Sequence, residues 1–316
     1  MQPYPVALAI AALVAFRGLR SGSLSSSGAL AAAALGYCAL ANPLKVFATC
    51  LLAFYFAGSR ATKVKAAVKA TYEEAPEATS SAPAADKPSA ASHGRTATQV
   101  ACNALVGSLC ALAWRMLYSG EQGDIVWGPP GERWCVVGRA DAEHRTSRAL
   151  VLAAVAFWAA CCGDTLGILS RSPPRLVTTL RPCPRGTNGG ISPWGTLVSL
   201  LGGLLIGTLA VVSLVLQGQR GACAGEGERM WWIEVVAVAG AAGLGGSLLD
   251  SFLGATLQPT YFSTTRNLVV HSPTPAHAGD VVTRVPGSGF DVLSNNGVNL
   301  VSAAAVAGAA GWWALQ

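Results

Sequence analysis

The stretch "ALVLAAVAFWAACCGDTLGILSRSPPRLVTTLRPCPRGTNGG", residues 149–190, decides the fold. An apolar run ends in an aspartate, Asp164. A basic loop follows with Arg171, Arg175, Arg181 and Arg185 among prolines, and then a glycine-rich turn carrying Thr187 and Asn188. No other acidic residue occurs between Asp164 and Glu226. A helix needs about 20 apolar residues to cross a bilayer, and residues 149–170 meet that length.

The rest of the chain reads the same way. Of 316 residues, 52% are hydrophobic and 12% charged, against about 25% charged in a soluble domain. The mean hydropathy is +0.43. The composition describes a single integral membrane domain over 1–316, an all-α polytopic bundle. Runs at 99–118, 194–216, 231–257 and 297–315 also reach spanning length. The front divides into shorter runs at 3–18, 28–43 and 44–58, the last two separated by Asn42-Pro43. The expectation is about eight membrane helices. No basic residue precedes "VALAIAALVAF", so it reads as the first helix rather than a cleaved leader.

Eight crossings place the loops at 17–27, 59–98, 171–193 and 258–296 on one side, with most of the 22 basic residues. The positive-inside rule makes that side cytosolic and puts both termini outside or in the lumen, in the endoplasmic reticulum or another endomembrane. Residues 73–94 are Ala/Ser/Pro-rich without periodicity and read as a disordered cytosolic loop. Cys38, Cys50, Cys102, Cys110, Cys161 and Cys162 sit inside apolar runs, so small packing residues are expected rather than a disulfide framework. The four histidines fall in polar loops with no zinc spacing.

On this topology the buried polar residues converge at one depth. Asp164 ends one helix; Ser247 and Asp250 lie near the end of another; Asn103, Asn295, Asn296 and Asn299 open two more. An intramembrane carboxylate costs roughly 2.5–3.5 kcal/mol on insertion scales and normally faces a cavity or a partner. The competing reading is that each aspartate snorkels to the interface or caps a helix. Gly186, Gly189 and Gly190, with Thr187 and Asn188, form a loop whose backbone N–H groups suit an anion, and Arg181 and Arg185 add guanidinium forks suited to phosphate. Asp164 and Asp250 would share a Mg²⁺ ion, which takes one or two carboxylates plus substrate phosphates. The combination points to phosphoryl transfer, where catalysis is mostly positioning and charge neutralisation. No P-loop, Rossmann glycine motif or nucleophile elbow occurs, and nothing suggests a nucleic-acid partner.

A weak echo between "LSSSGALAAAALG" (24–36) and "ISPWGTLVSLLGG" (191–203) suggests a parallel four-plus-four repeat. It would set Ser25, Ser26 and Asn103 opposite the glycine loop.

The blocks "CCGDTLGILSRSPPRLVTTLRP", "PRGTNGGISPWGTLVSLLGG", "GGSLLDSFLGATLQPTYF" and "VLSNNGVNLVSA" closely resemble the transmembrane protein 19 family, in a fungal-type form, nearly end to end. Plant and cyanobacterial relatives are similar to phytyl-phosphate kinases. The resemblance therefore implies a multi-pass protein acting on an isoprenoid phosphate at the cytosolic membrane face. Asp164 matches the aspartate of the "GDT" block, Asp250 that of "LLDS", and residues 186–190 the glycine loop. Family members usually carry about four further residues, including Ser-Glu, between "GDT" and "LGILS"; here the two blocks join directly. A transporter or flippase for an anionic lipid or metabolite, or a non-catalytic membrane component, is the alternative.

Overall fold

A computed structural model describes residues 4–69, 94–119, 135–167, 173–223, 230–270, 272–274 and 279–316, with backbone alone over 62–69. The helices in chain order are α1 (Pro5–Arg20), α2 (Ser26–Leu40), α3 (Val46–Lys69), α4 (Ala97–Tyr118), α5 (Ala142–Gly167), α6 (Pro193–Leu216), the short α7 (Gln219–Ala222), α8 (Trp231–Leu257) and α9 (Asn295–Ala314). Five of them, α4, α5, α6, α8 and α9, are long and apolar enough to cross a membrane; Ser26–Leu40 and Val46–Ala61 are shorter apolar helices. At about 1.5 Å per residue, the 16-residue α1 and 15-residue α2 fall short of the ~30 Å hydrocarbon core. The expected number of eight crossings thus exceeds what length and composition carry.

The boundaries follow local chemistry. Thr96 and Gln99 form a reciprocal capping box at the start of α4, satisfying amides that would otherwise be orphaned. Ser192, followed by a proline, caps α6 through the Gly195 N–H. Ser294 caps α9 in the same way.

α5 is the axis of the bundle. It is apolar on nearly every face and buries Val151, Leu152, Phe157 and Trp158, packing against α3, α4, α6, α8 and α9. A helix hydrophobic all round belongs inside. Lipid tails are as apolar as leucine, so helix association here depends on close packing of small residues. Gly163 of α5, Gly203 of α6 and Gly243 of α8 meet near the aspartate end. A Cβ on Gly163 would lie 2.8 Å from the Ser199 carbonyl oxygen, and one on Gly203 would lie 3.0 Å from the Gly243 Cα. Large apolar residues such as Leu13, Leu30, Leu109, Leu201 and Trp312 remain exposed, as a lipid-facing surface requires.

Four features depart from the sequence reading. First, the basic loops are not irregular throughout. β1 (Arg175–Leu176) pairs antiparallel with β2 (Gly190–Ile191), and β3 (Tyr261–Ser263) lies between β4 (Leu268–Val270) and β5 (Val282–Arg284). The fold is mostly rather than wholly helical. Second, Cys135 and Cys223 form a disulfide; they flank helices rather than lying within apolar runs, and their 88-residue separation hides the pairing. Third, His144 is in the first turn of α5, its Nδ1 3.0 Å from Asp141 Oδ1. Fourth, the repeat gains no support from packing: α5 touches five other helices, whereas its counterpart α1 packs chiefly on α2. Residues 73–93 of the expected disordered loop lie outside the described residues.

Candidate polar cavity at one end of the bundle

The end of α5 at Asp164, the end of α8 at Asp250, and the starts of α4, α6 and α9 surround one cavity of about 710 Å³, within the ~300–1,000 Å³ range of ligand pockets. Asp164, Thr165, Asn103, Ser247, Asp250, Asn295, Asn296, Asn299, Arg185 and all of residues 186–190 line it. Arg181 does not: it is exposed and its backbone is tied into the hairpin, its carbonyl accepting from the Leu176 N–H at 2.9 Å.

The two aspartates sit on α5 and α8, which pack against each other. Asp250 is held from α9. Ser302 Oγ donates to its Oδ2 at 3.2 Å. With the amide turned to face the carboxylate, Asn299 Nδ2 donates to the same oxygen at 3.1 Å and to the Asn295 carbonyl at 2.9 Å. On the α6–α8 side, Ser199 Oγ meets Ser247 Oγ at 3.0 Å. The Asn103 amide donates back to the Gln99 carbonyl of its own helix at 2.7 Å.

The glycine loop is clamped to α8. Gly186 and Gly189 take φ of 88° and 81°, conformations that cost a side-chain-bearing residue energy. Asn188 N–H donates to Thr260 Oγ1 at 3.1 Å, and its amide donates to the Pro259 carbonyl at 3.0 Å. Asn188 therefore shapes the loop; its amide hydrogens are engaged in structure. The two ends of the α8–α9 connection meet at the same end: Gln258 Nε2 donates to the Leu293 carbonyl, and the Phe290 N–H to the Thr256 carbonyl.

Two properties of the cavity escaped the sequence reading. It continues from the polar layer into an apolar arm lined by Val14, Leu35, Leu40, Leu51 and Leu52. Leu40 closes α2 at the far end, and Gly58 of α3 faces Thr165 at the layer. α2 is 15 residues long from Ser26 to Leu40, a rise of about 21 Å, which is at least one leaflet of a ~30 Å core. Arg95 also lines the cavity. The signal was available, because the capping box "TATQ" starts α4 immediately after it.

At the opposite end, the charges face each other. Buried Arg148 of α5 bonds Glu234 of α8 and the Ala314 carbonyl, and its guanidinium stacks 4.7 Å from the Trp313 ring centroid. Arg139 also reaches Glu234. The Cys135–Cys223 disulfide lies at this end too.

A polytopic bundle with an amphiphilic cavity at one membrane face is the class these observations define. The chain belongs to the integral membrane protein DUF92 family, whose profile matches residues 9–307. It is 31% identical to Protein PGR of Arabidopsis thaliana over 314 residues, covering 94% of this chain and 91% of PGR. It is 36% identical to an uncharacterized membrane protein of Methanocaldococcus jannaschii over 104 residues, covering 32% of this chain and 37% of that protein. No solved structure matches it.

Proposed function

We propose that the chain is a membrane-embedded phosphotransferase acting on an isoprenoid phosphate, as its resemblance to the transmembrane protein 19 family and phytyl-phosphate kinases implies. The observation that carries this reading is the composition of the cavity. Two carboxylates, a positive-φ glycine loop and two arginines share one space with a leaflet-deep apolar arm. An amphiphile with a phosphate head has complementary chemistry. In the proposed reaction a phosphate oxygen of the lipid forms a bond to the terminal phosphorus of a nucleoside triphosphate. The bond from that phosphorus to the bridging oxygen breaks, and the nucleoside diphosphate leaves with the electron pair. A dianionic acceptor brings no proton to be placed. Catalysis of this kind is mostly positioning and charge neutralisation.

Among the described residues, no group of three His, Cys, Asp or Glu side chains converges on a metal site. A Mg²⁺ held by two carboxylates and completed by substrate phosphate and water needs no such group, so Asp164 and Asp250 fit that role.

The orientation proposed is eight crossings, with α1–α3 spanning beside the five longer helices, the cavity opening to the cytosol and both termini lumenal or external. Its supports are the basic loops around the cavity and a disulfide at the other end, since disulfides persist in oxidising compartments. The compartment proposed is the endoplasmic reticulum or another endomembrane.

The test is transfer of labelled phosphate from a nucleoside triphosphate to a prenyl monophosphate by the purified chain in lipid nanodiscs. Asp164→Asn and Asp250→Asn should each lower the rate at least 100-fold while membrane insertion is retained. Lipid-phosphate binding without nucleotide binding or transfer would instead favour the transporter reading.

A further inference from the structure

Arg95 is held in place by its own backbone. Its N–H donates to the Ser23 carbonyl at 3.0 Å, and its carbonyl accepts from the Ser25 N–H at 3.1 Å. Gly94 lies directly against Leu24, and Gly28 against the Arg95 carbonyl, both closely enough that a Cβ would collide. The segment before α4 is thus pinned to the α1–α2 turn, whatever side chain stands at 95.

The guanidinium then reaches α3. Its Nη2 donates to Ser59 Oγ at 2.6 Å, and the group lies 5.6 Å from the Tyr55 ring centroid. Ser59 follows Gly58, which faces Thr165, so Arg95 acts at the depth of the aspartate layer. Among the described residues no carboxylate pairs with it. Burial pushes the guanidinium below its ordinary pKa, as expected of a cation withdrawn from water, but an arginine remains charged. Holding such a cation at a cavity wall without a carboxylate is unfavourable unless an anion arrives there.

Position divides the labour between the two cavity arginines. Arg185 belongs to the glycine loop, which is seated on α8. Arg95 belongs to the opposite wall, formed by the α1–α2 turn and α3, where Leu24, Tyr55 and Leu51 lead into the apolar arm. We propose that Arg95 binds the phosphate carried by the hydrocarbon chain, while the glycine loop and Arg185 bind a second, soluble anion across the cavity. The cavity holds two anion subsites, and the lipid-borne one is built from the N-terminal third of the chain. This deepens the reading above and rests on its amphiphilic substrate, but it requires no chemistry.

The experiment measures equilibrium binding to the full chain in nanodiscs with three probes: a C15–C20 prenyl monophosphate, the matching alcohol, and inorganic pyrophosphate. Arg95→Ala should weaken the monophosphate at least tenfold and leave the alcohol and pyrophosphate within twofold. Arg185→Ala should do the reverse, weakening pyrophosphate and sparing the lipid phosphate. If Arg95→Ala does not fold, Ser59→Ala keeps the backbone clamp, removes the guanidinium's hydrogen-bond partner and should lower the phosphate-to-alcohol affinity ratio several-fold. Equal losses of both anions in Arg95→Ala, an unchanged ratio in Ser59→Ala, or equal wild-type affinity for alcohol and monophosphate would overturn the assignment. Monophosphate binding that follows this pattern without any phosphate transfer would sink the kinase reading and leave the subsite standing.

Discussion

Replacing Gly189 with alanine tests how the glycine loop is held. Gly189 adopts φ of 81°, which costs a non-glycine residue about 1–2 kcal/mol. The new Cβ would also lie 2.6 Å from the Ser251 carbonyl oxygen and 2.8 Å from the Ala255 Cα, both backbone atoms of α8 that cannot swing aside. Overpacking of that kind adds about 1–3 kcal/mol, so the total is about 2–5 kcal/mol. Gly279→Ala separates the two contributions, because Gly279 has nearly the same φ of 83° but, among the described residues, no heavy atom within 4 Å of its Cβ. In domains of 150–250 residues each kcal/mol moves the midpoint by about 2–4 °C. Thermal unfolding in nanodiscs should therefore drop by roughly 4–20 °C for Gly189→Ala and roughly 2–8 °C for Gly279→Ala, with Gly189→Ala the lower of the two. Gly189→Ala should also weaken pyrophosphate binding, because the loop can no longer seat on α8. Equal midpoints for the two variants would refute the argument: the loop would then not be pressed against Ser251 and Ala255.

Two further outcomes follow from the other end of the bundle. Glu234→Gln leaves the buried Arg148 cation without a full counter-charge and should cost about 3–5 kcal/mol. Replacing both partners with leucine or methionine should recover most of that loss, as a double-mutant cycle of thermal midpoints would show. Cys135→Ser/Cys223→Ser removes a crosslink over 88 residues and should cost about 2–4 kcal/mol. In intact membranes, an impermeant maleimide added after reduction should reach these cysteines from the side opposite the cavity, and labelling from the cavity side would reverse the proposed orientation.

The long spans were legible because bilayer thickness imposes a length on any apolar run: 99–118 and 231–257 became Ala97–Tyr118 and Trp231–Leu257. Asp164 and Asp250 could be assigned to one layer because helix direction alternates and each stands a countable distance from a helix end. Arg181 was misjudged for a related reason. Spacing places a loop residue at a depth but does not say which way it faces, and the β1–β2 hairpin directs Arg181 outward. Arg95 was passed over because the loop before it looks solvated in composition; only the clamp between residues 94–95 and 23–28 reveals its placement. Nothing in the sequence joins Arg148 to Glu234, since α5 and α8 sit side by side only in three dimensions.

The charges at the two ends of the bundle separate function from structure. Arg148 is buried and Glu234 half-buried, and the two are opposite in sign and bonded to each other, with an aromatic ring and a main-chain carbonyl beside the guanidinium. The buried Arg148 cation thus finds its counter-charge within the fold, although its Nε is left without a hydrogen-bond partner. At the other end Asp164, Asp250, Arg95 and Arg185 all line one cavity. Arg95 donates there to the Ser59 hydroxyl, and among the described residues no carboxylate pairs with it. A neutral partner orients a charged group without cancelling it, which preserves its field for whatever enters the space. Folding alone would favour pairing Arg95 with a carboxylate. Its place at the wall of an amphiphilic cavity has a physical reason if the counter-charge arrives with a ligand.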